Sequence, residues 1–148
     1  MKNLYDKDFY QWTQQTVQMI KNRQYNLVDW DNLIEEIETL GRSEKRAVKS
    51  HLVILLMHLL KWEYQIERRS NSWKASIRNA RRELIDLLQD NPSLAGDFLG
   101  EILPSVYTRA REQAAEETTI FLQNFPADCP YSLQQILDFE FLPDIDSL

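Results

Sequence analysis

Residues 51–62 read HLVILLMHLLKW, and from Leu52 to Leu60 only His58 is not apolar. A helix with apolar side chains on every face is central to a bundle or to a dimer, because no face of it tolerates water. That one stretch dictates an all-α architecture in which the other helices wrap around it. It is too short to cross a membrane, which takes roughly 20 apolar residues. Three glycines and five prolines in 148 residues argue against a turn-rich β fold, and no long alternating segment reads as a strand. The length suits a single domain, 1–148, able to bury one sizeable core.

Helical periodicity organises the rest. A first helix is expected from about Tyr5 to Ile20, with Phe9, Trp12, Thr16 and Ile20 on one face. Asp29 is a good N-cap for a second, Val28 can staple onto Leu33, and Gly41 stands where a left-handed C-cap would end it. Leu33, Ile34, Ile37 and Leu40 make its apolar stripe. The third helix then starts after Ser43 and reaches about Arg68. After a polar break at Ser70–Ser72, a fourth runs from Trp73 to Gln89, and Asn91 and Pro92 open a fifth. Pro104 is expected to kink or restart that fifth helix, since proline lacks the amide hydrogen and clashes with the preceding turn. The stripe continues to about Gln123, PADCP turns the chain, and a short helix over 133–139 closes it. The pattern is an up-and-down bundle of four to five main helices with a long central third and a proline-broken C-terminal segment. Its expected core is Leu33, Ile37, Leu52, Leu55, Leu59, Ile77, Leu84 and Tyr107.

Charge is segregated. Residues 1–41 carry net −3, residues 42–82 net +8, and residues 83–148 net −11, for a total of −6. The basic middle includes Lys74, Arg78 and Arg81 on one helical face with Arg82 beside it. Arg68 and Arg69 lie upstream, and Trp62, Tyr64 and Trp73 are interleaved. This is the pattern of a nucleic-acid surface, yet the overall charge disfavours nonspecific binding. Interhelical pairing accounts for the segregation better: Glu112 and Glu116 facing Lys74, and Lys45, Arg46 and Lys49 facing Glu83, Asp86 and Asp90. Nucleic acid is therefore not the expected partner.

The only two histidines, His51 and His58, are seven residues apart, about 10.5 Å along a helix. One tetrahedral ion cannot bridge that gap. A metal-dependent enzyme would need Glu36, His51 and His58 with at least one further ligand. The competing expectation is two neutral histidines bonded to backbone or carboxylate groups at helix contacts. The EEIE cluster at 35–38 reads as a solvated face. Cys129, the only cysteine, excludes an internal disulfide, and as a nucleophile it would need a base that only the histidines supply. No phosphate-binding loop, nucleophile elbow, EF-hand or CxxC pair is present, so no cofactor or catalytic residue is assigned. The first residues, MKNLYDKDFYQW, contain no apolar h-region, so no secretory signal is expected, and the lone cysteine suits a reducing cytoplasm.

The run DWDNLIEEIETLGRSEKRAV, then HLLKWEYQ, the SW of NSWKASIRNAR, NPSL, and FPADCPY near the end resemble the domain of unknown function 29 family, abundant in cyanobacteria. The resemblance spans roughly Tyr5 to Pro143. It implies a small cytoplasmic helical protein and carries over no catalytic residue. The function most compatible with these features is a protein-interaction or assembly module, with a homodimer or another protein as partner. A metal-dependent helical-bundle enzyme and nucleic-acid binding through Lys74, Arg78, Arg81 and Arg82 are the alternatives.

Overall fold

The computed structural model describes residues 3–144. Among the described residues the α-helices are α1 (Leu4–Lys7), α2 (Phe9–Lys21), α3 (Trp30–Tyr64), α4 (Asn71–Asp90), α5 (Asp97–Thr118) and α6 (Leu133–Ile136), and no strand is present. The chain divides into two compact units, Met1–Ser43 and Glu44–Leu148.

In the first unit, local capping sets the boundaries. The expected single helix over 5–20 is broken at Asp8, whose carboxylate accepts the Gln11 amide at 3.0 Å and so starts α2. Asn3 does the same for α1 through the Asp6 amide. Aspartate competes poorly in a helix interior and well at an N-cap, so the chain caps twice. Asp29 caps α3 as expected, accepting the Asn32 amide at 3.3 Å, and Val28 before it is buried.

Gly41 does not end a helix. α3 is one 35-residue helix that runs through it, and no glycine here has positive φ. Arg42 forms ion pairs with Glu35 and Glu38, each at 3.8 Å, across that point. The good helix formers that follow, Glu44 to Lys49, carry the helix on, so the stop signal at Gly41 is outweighed.

The second unit holds the core. Val48, Leu52, Leu55, Leu56, Leu59 and Leu60 of α3 are wholly buried with Leu84 of α4 and Ala110 and Ala114 of α5. Contacts at both ends fix the topology. Lys45 lies over the Phe98 ring and Lys61 pairs with Glu117 at 3.6 Å, so this part of α3 and α5 run in the same direction. Asn91 donates to Glu44, and Lys61 lies over the Trp73 ring, so α4 runs opposite to both. This is the expected up-and-down order. α4 begins at a Ser70 cap, slightly before Trp73.

α5 continues through Pro104. The carbonyl deprived of its amide partner belongs to Gly100, which is exposed to water, so the missing hydrogen bond is made up by solvent. The C-terminal segment breaks later, at Thr119, which ends α5 in the left-handed region (φ 61°). The prolines at 126, 130 and 143 follow.

The irregular chain from 119 to 142 is held by specific polar anchors. Arg81, 1% exposed, donates from Nε to the Ile136 carbonyl at 2.7 Å and from Nη1 to that of Phe141 at 3.0 Å. Arg111 donates to the Phe125 carbonyl, and the Tyr107 hydroxyl to that of Pro126. Tyr131 donates to Glu63 at 2.7 Å, and burial, with that bond second, raises its phenol far above the usual range. With Phe125, Tyr131 and Ile136 buried, this segment covers the side of the core that three helices leave open.

Two expectations about burial and charge are corrected. Ile37 is 59% exposed, and Leu33 is only half-buried; the thirteen-residue α2 cannot cover the whole stripe that α3 presents in the first unit. The predicted interhelical ion pairs do not form among the described residues. Lys74 lies 5.7 Å from the Trp62 ring centroid instead, and Lys45 over Phe98. An aromatic face already sits within reach of each amine, while the carboxylates opposite remain in water.

Candidate functional site

The residues proposed for a metal do not assemble. His51 and His58 sit half-buried on α3, seven residues apart. The Nδ1 of His58 is buried without a hydrogen-bond partner, so the expected satisfied histidine is not found at this nitrogen. Burial holds its imidazole below the usual range, Lys61 adds to the effect and Glu117 opposes it. Glu36 accepts a hydrogen bond from the Tyr5 hydroxyl, and that bond pushes the phenol up to about 12. Glu35 and Glu38 face Arg42. Among the described residues no group of three or more His, Cys, Asp or Glu side chains could hold a metal ion. Cys129 is half-buried, and burial raises its thiol, the opposite of an activated nucleophile.

The basic stripe is divided by burial. Lys74, Arg78 and Arg82 are exposed, whereas Arg81 is enclosed and holds the C-terminal chain. Lys74, Arg78 and Arg81 line a cleft of about 190 Å³ that Phe139, Glu140 and Leu142 complete. Arg82 does not line it. The residues contributed by 139–142 carry no motif, and nothing in the sequence placed them against α4.

A strongly apolar depression lies in the first unit. Phe9, Trp12, Val17 and Ile20 of α2 and Leu33, Ile37 and Leu40 of α3 line a groove of about 350 Å³. Several of its walls stand open to water: Phe9 is 49% exposed, Ile37 59% and Leu40 68%. The stripe was legible in the sequence, but it reads as core there. The signal for exposure was the short polar link at 21–26, before which only one helix longer than a turn is available to cover the stripe.

A family model described as a domain of unknown function, DUF29, matches residues 4–142. The chain belongs to the DUF29 family. That description names no activity, so the DUF29 fold alone assigns none. No curated protein and no solved structure shows a significant match. No helix among the described residues is long and apolar enough to cross a membrane.

Proposed function

We propose that this DUF29 protein is an interaction module whose N-terminal helical hairpin docks a basic amphipathic helix of another protein. The observation that carries this reading is the open groove between α2 and the start of α3, with Ile37 and Leu40 more than half exposed. Aliphatic side chains this exposed on adjoining walls mark a surface that gains by being covered.

The occupant is identified by shape and charge. A groove between two helices, about 20 Å long along α2, takes the apolar face of a third helix of three to four turns. From Asp29 to Arg42 the chain carries five acidic side chains and one basic one, Arg42, which pairs with Glu35 and Glu38, and the stretch keeps a net charge of −4. A basic helix complements that rim; a second copy would set the same acidic helix against itself. The apolar stretch 52–60 offers less surface for docking, because apart from Ile54, 41% exposed, and the half-buried His58 its side chains lie in the core of the second unit. The half-buried thiol and the absence of any disulfide fit a reducing cytoplasm.

The test uses two amphipathic peptides of about 15 residues with the same leucine face, one lysine-rich and one glutamate-rich, titrated calorimetrically into the full chain. Saturable binding of the lysine peptide is expected, on the order of micromolar, at least about tenfold weaker for the glutamate peptide. Ile37→Ser should abolish it without unfolding the chain. Equal binding of both peptides, or binding indifferent to Ile37→Ser, refutes the reading. A homodimer in native mass spectrometry that Ile37→Ser dissociates would give the groove to a second copy instead.

A further inference from the structure

The Arg81 guanidinium is enclosed, yet only two of its three nitrogens are satisfied. Nε and Nη1 bond the carbonyls of Ile136 and Phe141, while Nη2 is buried with no acceptor. Buried donors are almost always paired, and on a cation an orphan is more costly than on a neutral group. Burial also lowers the pKa of this arginine, with Asp138 opposing the effect.

The surroundings indicate what an acceptor would be. Positions 74, 78 and 81 fall on one face of α4 at helical spacing, and all three line the cleft that Phe139, Glu140 and Leu142 close. Neither Lys74 nor Arg78 forms an ion pair among the described residues. Lys74 is drawn to the Trp62 ring and Arg78 is exposed. Asp138 lies outside the lining but close enough to act on Arg81. Glu140 is the one carboxylate in the lining, so the lining side chains carry a formal charge of +2. A carboxylate ligand would neutralise half of it; a phosphate monoester, close to −2 at neutral pH, neutralises all of it. Phosphate oxygens also accept the paired N–H groups that a guanidinium presents. About 190 Å³ has room for one phosphate and a small substituent.

We infer that the cleft between α4 and the 139–142 segment binds the phosphate group of a small phosphate monoester, held by Lys74, Arg78 and Arg81. The inference is independent of the docking groove. It also reinterprets the basic face of α4. A nucleic-acid track requires all of its cations outward, but here one is turned inward and a second chain segment closes the space in front of it. Phe139, 51% exposed at the mouth, gives an apolar substituent a ring to lie against.

The experiment titrates the full chain with inorganic phosphate, phenyl phosphate and acetate, following arginine side-chain N–H resonances by NMR. Saturable one-site shifts with phenyl phosphate are expected, with acetate at least about tenfold weaker because it carries one charge. Tighter binding of phenyl phosphate than of inorganic phosphate identifies an organic monoester as the source; equal binding identifies the free ion. Arg78→Gln, at an exposed position, should weaken binding about tenfold or more, and Arg82→Gln should leave it unchanged. No saturable shift, or equal losses in Arg78→Gln and Arg82→Gln, overturns the inference. Binding of a single-stranded oligonucleotide that both variants weaken alike, with no phenyl phosphate binding, would replace the cleft with a phosphate-backbone surface.

Discussion

Gly41→Ala should stabilise this protein, and the sign of the effect decides between two ways of reading the same residue. In the interior of α3, alanine replaces the residue that loses most conformational freedom on helix formation. The gain for an exposed interior position is about 1 kcal/mol. Nothing in the surroundings subtracts from it. A Cβ built on Gly41 meets no atom within 4 Å, its φ is not positive, and the Arg42 pairs beside it are more than half exposed. In a chain of 148 residues that gain corresponds to roughly 2–4 °C in Tm. Had Gly41 been a left-handed C-cap, as its place after the Leu33–Leu40 stripe implies, alanine would instead cost about 1 kcal/mol or more. Gly96→Ala is the control. It too has open space around the Cβ, but it stands at the N-cap of α5, where alanine is worse than glycine. Urea unfolding followed by far-UV circular dichroism should place the Gly41→Ala midpoint above wild type and the Gly96→Ala midpoint at or below it. A destabilised Gly41→Ala chain would refute a continuous α3.

Three further outcomes follow from the second unit. Arg81→Ala removes two charge-assisted bonds to the backbone of the C-terminal segment and should destabilise by about 3–5 kcal/mol, visible as faster proteolysis of residues 119–144 as well as a lower urea midpoint. For His58 the folded pKa lies below the ordinary 6.5, so on acidification the unfolded chain takes up the proton first. The stability that His58 contributes is present above 6.5 and is lost as pH falls toward its folded value. His58→Leu should therefore lose less Tm than wild type between neutral pH and about pH 5, and an unchanged pH slope would contradict a desolvated imidazole. Cys129, its thiol raised chiefly by burial, should react with a thiol reagent at pH 8 more slowly in the folded chain than in urea; equal rates would mean that it is not shielded.

What was legible in the sequence was whatever short-range physics decides alone. The Asp29 cap follows from that residue and its immediate successors. The burial of most of Leu52 to Leu60 follows from there being no polar face to expose, and the helix turns Ile54 to water, at 41% exposure, because one side of it still faces out. The family resemblance was also legible, because the order and spacing of its pieces survive in the chain. Gly41 was not, since glycine tolerates a helix interior and a helix end, and only the residues after it settle which one wins. Ile37 was misread for a related reason: a stripe at helical spacing shows that a face wants cover, not that a second helix is long enough to supply it.

Arg81 sets the limit on such reading most clearly. On α4 it sits in register with Lys74 and Arg78, and periodicity alone makes the three equivalent. The chain that separates them lies more than fifty residues downstream, where Ile136 and Phe141 present backbone carbonyls to Arg81. Every residue type presents such carbonyls, so no side chain in that segment advertises the partnership. Once it forms, one cation of the stripe is removed from the surface, and Phe139, Glu140 and Leu142 are brought up to the other two. A basic face that periodicity presents as one continuous stripe is thus divided, with one cation buried and the other two beside a cleft that residues 139–142 border. The contact that creates it is a buried arginine with one nitrogen still lacking an acceptor.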